Sequence, residues 1–193
     1  MSFILETGKI PALNGSHSLN KPLASVALTD TSWFLIYSQN NPDYLLCQIV
    51  EYTENETVEF SKAQVLFGSA GFNNYRFSVI SFSENEVFIL YKRNQSKEIL
   101  GRYLKINQGI VSVGEEIKVR QDAFSEGHIF KAYQSSENSF KLCYLTQAIS
   151  SSHRLRLIEI NLDKQSNTIS NNQPIEIDST FSVPMISKTK IDY

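Results

Sequence analysis

Short apolar runs separated by polar clusters make up most of the chain. Trp33-Phe34-Leu35-Ile36-Tyr37 and Val87-Phe88-Ile89-Leu90-Tyr91 are aromatic and β-branched, and Ser, Asn, Asp and Glu bound them. That is the pattern of buried strands. No window carries apolar residues at i, i+3, i+4 and i+7 with capping signals over three turns, so the pattern predicts an all-β chain with almost no helix.

The runs recur. Tyr37, Tyr91 and Tyr144 stand 54 and 53 residues apart, each closing a strand. Ahead of them come the polar turns Thr29-Asp30-Thr31-Ser32, Ser83-Glu84-Asn85-Glu86 and Ser136-Glu137-Asn138-Ser139, suited to tight hairpins through local side-chain to backbone bonding. Before each turn lies another strand, at 24–28, 77–82 and 129–133. After each Tyr a third strand is predicted at 44–52, 99–106 and 155–160, and a fourth at 58–67, 110–119 and 169–177. Each repeat thus supplies four antiparallel strands, which stacked neighbours would bury better than any one repeat alone.

The ends extend the pattern. Phe181-Ser182-Val183 echoes Phe77-Ser78-Val79, and Ile191-Asp192-Tyr193 imitates a Tyr-ending strand. Residues 3–10 resemble the junction of third and fourth strands at 104–110. A split fourth unit is therefore expected, 179–193 joined to 1–13, beside units at 23–67, 75–120 and 128–178. Such a closure would leave few exposed strand edges. Over nearly the whole chain this organisation resembles β-propeller repeats, which implies a four-bladed ring in one domain. W-D dipeptides, a kelch double Gly and the sialidase S-x-D-x-G-x-x-W box are absent, so the resemblance implies architecture and not function. A β-sandwich, or a part of a larger ring, would also account for strands at this spacing.

Composition narrows the partners. The 193 residues are 41% hydrophobic and 20% charged with a formal net charge of −2, which offers no global attraction for nucleic acid or an anionic membrane. The N-terminus lacks a basic region and the apolar run of roughly 7–15 residues that a signal peptide needs. No stretch reaches the ~18–20 apolar residues of a spanning helix, so membrane insertion is not expected and the default expectation is a soluble, cytoplasmic protein. Cys47 and Cys143 lie in apolar runs of different repeats, predicting buried free thiols.

The resemblance gathers the loops between second and third strands, and between blades, on one face. Asn73, Asn74, Tyr75, Arg76, Arg93, Asp122, Glu126, His128, His153 and Arg154 would lie there, amides, aromatics and charges able to hydrogen-bond a ligand. His17, His128 and His153 lack metal-site spacing, and no metal or other cofactor is expected. Arg154 and Arg156 would share a strand face suited to an anion. No G-x-S-x-G occurs, and neither cysteine sits in a loop beside a histidine. Convergence of Asp43, Asp122, Glu126 and Asp178 on the channel mouth would instead allow glycoside chemistry. The leading expectation is a non-catalytic module that binds a glycan or a protein partner, without nucleic acid. The alternatives are a saccharide-acting enzyme and a structural subunit, homo-oligomeric contacts included.

Overall fold

The runs that alternate least become the innermost structure. In the computed structural model, which describes residues 21–40, 43–68, 75–93, 96–123, 130–147, 153–166, 168–171 and 173–178, every regular element is a strand. The proposed fourth unit, 1–13 with 179–193, lies outside the described residues.

Three antiparallel sheets follow one another along the chain. The first holds β1 (Lys21–Ala27), β2 (Ser32–Asn40), β3 (Asp43–Tyr52), β4 (Val58–Phe60) and β5 (Gln64–Gly68). The second holds β6 (Tyr75–Ser83), β7 (Glu86–Arg93), β8 (Ile99–Asn107) and β9 (Ile110–Arg120). The third holds β10 (Phe130–Ser136), β11 (Ser139–Gln147), β12 (His153–Asp163), β13 (Thr168–Asn171) and β14 (Ile175–Asp178). Each is a meander in sequence order, matching the strands expected from the pattern.

The predicted turn chemistry is present in all three repeats. The hydroxyls of Thr29, Ser83 and Ser136 accept the backbone N–H two residues on, from Thr31, Asn85 and Asn138 at 3.2, 3.3 and 3.4 Å. The carbonyls of those same three residues then accept N–H bonds from the third strand, at Tyr52, Ile106 and Leu162. Each turn is thereby tied to two strands. The β8–β9 hairpin uses Gln108 and Gly109 at φ +49° and +74°, two left-handed residues in the two-residue turn that matches strand twist.

The fourth strand departs from expectation in the first and third sheets, where it is broken in two. Val50 pairs with Phe60 but Cys47 with Gln64, and Ile160 pairs with Asn171 but Leu157 with Ile175, so the outer strand carries one residue more than its partner. In the second sheet Leu104 pairs with Val113 and Arg102 with Glu116, the same surplus absorbed in a continuous strand. An extra outer residue bends the edge and increases its twist. At the first break Ser61 restores the ladder, its hydroxyl accepting from the Ile49 N–H and its own N–H donating to the Ile49 carbonyl, both at 2.9 Å.

The sheets pack face to face in chain order. On β7, Val87, Ile89 and Tyr91 turn toward the first sheet, joining Phe34, Ile36, Leu45, Cys47 and Ile49. Phe88 and Leu90 turn toward the third, joining Phe130, Phe140, Leu142, Tyr144, Ile158 and Ile160. A strand buried on both faces has no polar side to show, which explains the unbroken apolar run. Residues aligned with Tyr37 keep their orientation: Tyr91 and Tyr144 each face the preceding sheet. Cys47 is a buried free thiol that burial pushes up to about 12, whereas Cys143, also free, is only half-buried.

Candidate functional site

The first strands of the three sheets, β1, β6 and β10, lie side by side. Together they line an open groove of about 520 Å³. Ser25, Ser81, Lys131, Tyr133 and Gln134 border it, with Val26 and Ile80 among its apolar lining. Local bonding shapes its polar wall: Ser81 donates to the Ser83 carbonyl at 2.9 Å, and the Gln134 amide donates to the Ser136 carbonyl at 3.2 Å. Beneath it the buried Ser78 hydroxyl accepts the Ala132 N–H at 3.1 Å, stitching the second sheet to the third.

A second cleft, of about 630 Å³, lies between the first and second sheets at their hairpin turns, where Glu51, Glu54, Glu84 and Tyr52 border it. Both clefts sit toward the hairpin-turn end. Sequence reasoning favoured the opposite, loop-bearing end and did not single them out. Ser78, Ser81 and Ser83 in the strand Tyr75–Ser83 were the available signal, since a hydroxyl on a strand packed between neighbouring sheets has the groove or the next sheet to face.

The expected site residues that are described lie along the loop end. Tyr75 stands opposite Arg93, and Arg76 opposite Lys92, where β6 meets β7. His153 stands opposite Gln147 and Arg154 opposite Thr146, where β11 meets β12. Asn73, Asn74, Glu126 and His128 lie outside the described residues. Asp122 is the best defined. Arg120 donates to both its carboxylate oxygens at 3.0 and 2.9 Å, Arg156 donates to Oδ2 at 2.9 Å, and the Tyr144 hydroxyl donates to the same oxygen at 3.3 Å. The Arg120 guanidinium also lies 5.5 Å from the Tyr144 ring centre. Sequence reasoning missed Arg120, two residues away, because β9 ends between them.

Electrostatics fix what this cluster can do. Burial opposes ionisation of Asp122, but the hydrogen bonds and charge of Arg120, with the charge of Arg156, outweigh it and hold the carboxyl below its ordinary range. Burial first, and the Asp122 charge second, push the Tyr144 phenol up. Of the four carboxylates considered for glycoside chemistry, Asp122 alone has a described side chain, and a general acid needs a raised carboxyl, not a lowered one. Glu86 accepts from Lys164, across the joint with the third sheet, and from Tyr103 of its own sheet; burial opposes its ionisation, and Lys164 and Tyr103 overcome that. Among the described residues no three His, Cys, Asp or Glu side chains form a group able to hold a metal.

No protein-family model matches the chain, and no curated protein matches it significantly.

Proposed function

We propose that the three sheets are blades of a four-bladed ring completed by 179–193 and 1–13, and that the ring is a non-catalytic recognition module. Three residues support the completion. Tyr37, Leu46 and Leu145 are buried at 3, 8 and 6% exposure yet belong to neither apolar cluster. By strand alternation they lie on the faces of the first and third sheets turned away from the second, the faces a fourth blade would cover. The first sheet's outward face also carries Trp33, the sole tryptophan.

Recognition is carried by the axial groove. Its hydroxyls, amide and Tyr133 beside an apolar lining are the mixture that holds a saccharide or an extended peptide by hydrogen bonds and ring contact. Tyr133 keeps 48% exposure there. The test is a glycan array with a parallel pull-down, repeated with Tyr133→Ala and Ser81→Ala. Binding that falls at least about tenfold in either variant supports the assignment, since a lost hydrogen bond or ring contact is of that size. An empty array together with an empty pull-down overturns it.

A further inference from the structure

The Ser78 to Ala132 bond identifies how one blade is stitched to the next, and its repeat equivalents differ in chemistry. Ser78 stands opposite Leu90, one residue before the aligned Tyr91; its counterparts are Ala24, opposite Ile36, and Lys131, opposite Cys143. Ala132 stands opposite Leu142, two before Tyr144; its counterparts are Val79, opposite Ile89, and Ser25, opposite Leu35. Ala24 has no hydroxyl to offer Val79, so within the described residues this stitch joins only the second and third sheets. One further serine has the same setting in sequence: Ser182, in Phe181-Ser182-Val183, the match to Phe77-Ser78-Val79.

We propose that Phe181-Ser182-Val183 seats against β1 as the fourth innermost strand, with the Ser182 hydroxyl accepting the N–H of Ser25. The inference rests on the closed-ring reading and adds its register. The occupant is a segment of this chain because the motif that makes the observed stitch recurs there, and because the face of the first sheet that it meets carries the buried Tyr37 and Leu46. A hydroxyl is suited to this bond because a blade's first strand pairs through one edge only. The N–H groups on the other edge need acceptors that no ladder provides. The seam would thus be stitched as the second and third blades are, while the first and second are held by packing and by Gln64.

Amide hydrogen exchange on the full 193-residue chain, resolved by residue, tests both levels. The seam predicts that the Ser25 amide is protected, that Ser182→Ala speeds its exchange about tenfold, and that Ser182→Thr, which keeps the hydroxyl, restores protection. Protection across Phe181–Val183 with a Ser25 amide indifferent to Ser182→Ala overturns the register while leaving the ring standing. Exchange of Phe181–Val183 at unprotected rates overturns both, and should Ser182→Ala fail to fold, a Ser25 amide that exchanges freely in the unsubstituted chain overturns the register. Ser25 protection that grows with protein concentration means that a second copy supplies the strand, which overturns the intrachain seat.

Discussion

The joint between the first and second sheets and the joint between the second and third are built on one repeat and secured in different ways. Both have a largely apolar interior, the second with the buried Ser78 hydroxyl inside it. The first is locked at its outer edge by a neutral amide: Gln64 on β5 donates from Nε2 to the Gly109 carbonyl at 2.5 Å and accepts the Val111 N–H at 2.9 Å, so a side chain imitates a neighbouring strand. The second is bordered by charge, with Glu86, Lys164 and Tyr103 at one margin and Asp122, Arg120 and Arg156 at the other. Repetition fixes the stacking of sheets, and the margins decide how each joint answers acid, salt and substitution.

The interiors also differ at one aligned position, and the largest expected effect lies there. Gly101 in the second sheet corresponds to Cys47 in the first, each opposite the residue before the aligned tyrosine. A Cβ on Gly101 would lie 2.5 Å from Cζ of Phe88, whose ring also packs 5.3 Å from Phe140 across the second joint. Phe88→Ala removes a ring that is 0% exposed and is expected to cost about 3–5 kcal/mol. Gly101→Ala forces that ring out of place and is expected to cost about 1–3 kcal/mol, whereas Cys47→Ala, a small truncation, should cost about 1 kcal/mol. Urea midpoints measure all three. In the Phe88→Ala background the Gly101→Ala penalty should largely vanish, and a penalty that persists would show that the ring is not its cause.

Comparing the two joints also shows what the sequence could reveal. The Tyr37, Tyr91 and Tyr144 register and the hydroxyl turns at Thr29, Ser83 and Ser136 are local patterns, and the structure realises them. The surplus residues of the outer strands are not local. Ser61 and Asn171 read in sequence as ordinary strand residues, and only the bonds of Ser61 to Ile49 on β3 and the pairing of Asn171 with Ile160 on β12 show where the outer strand breaks. Asp122 was legible as a polar residue in the connection between the second and third sheets, but its meaning changes once Arg156, 34 positions away, reaches it. The groove was not legible because its walls are strands, and strand residues read as core until the neighbouring sheets are placed.

Charge at the second joint predicts an acid response carried by Asp122 and Glu86. Asp122 and Glu86 have folded carboxyls below their ordinary values, so the unfolded chain binds their protons more readily. Their contribution is complete above the unfolded range of about pH 4 and is lost as pH falls from there through the lowered folded values. Asp122→Asn is expected to cost about 1–2 kcal/mol at pH 7, less than a fully buried pair would, because the Asp122 side chain keeps 36% exposure to screening water. Denaturant melts at pH 7 and pH 3 check the sign: the gap between parent and variant should narrow at pH 3. A gap of equal size at both values would mean that Asp122 acts through packing and not charge.

The smallest effect separates the two locks most cleanly. Gln64→Ala deletes both hydrogen bonds of the first joint and leaves the Gly109 carbonyl and the Val111 N–H at a margin that water can reach, so the cost should be about 1 kcal/mol. Because an amide does not titrate, that cost should be the same at pH 7 and pH 3 and unmoved between low and high salt, where Asp122→Asn varies with both. Gln64→Glu sharpens the contrast. Its carboxylate still accepts the Val111 N–H but, when ionised, meets the Gly109 carbonyl without a proton to donate. The variant should therefore be weaker than the parent at pH 7 and recover as acid protonates the new carboxyl near pH 4. Both chains keep Asp122 and Glu86, so the gap between them isolates the new carboxyl, and a gap that fails to narrow on acidification would show that Gln64 is not the lock of the first joint.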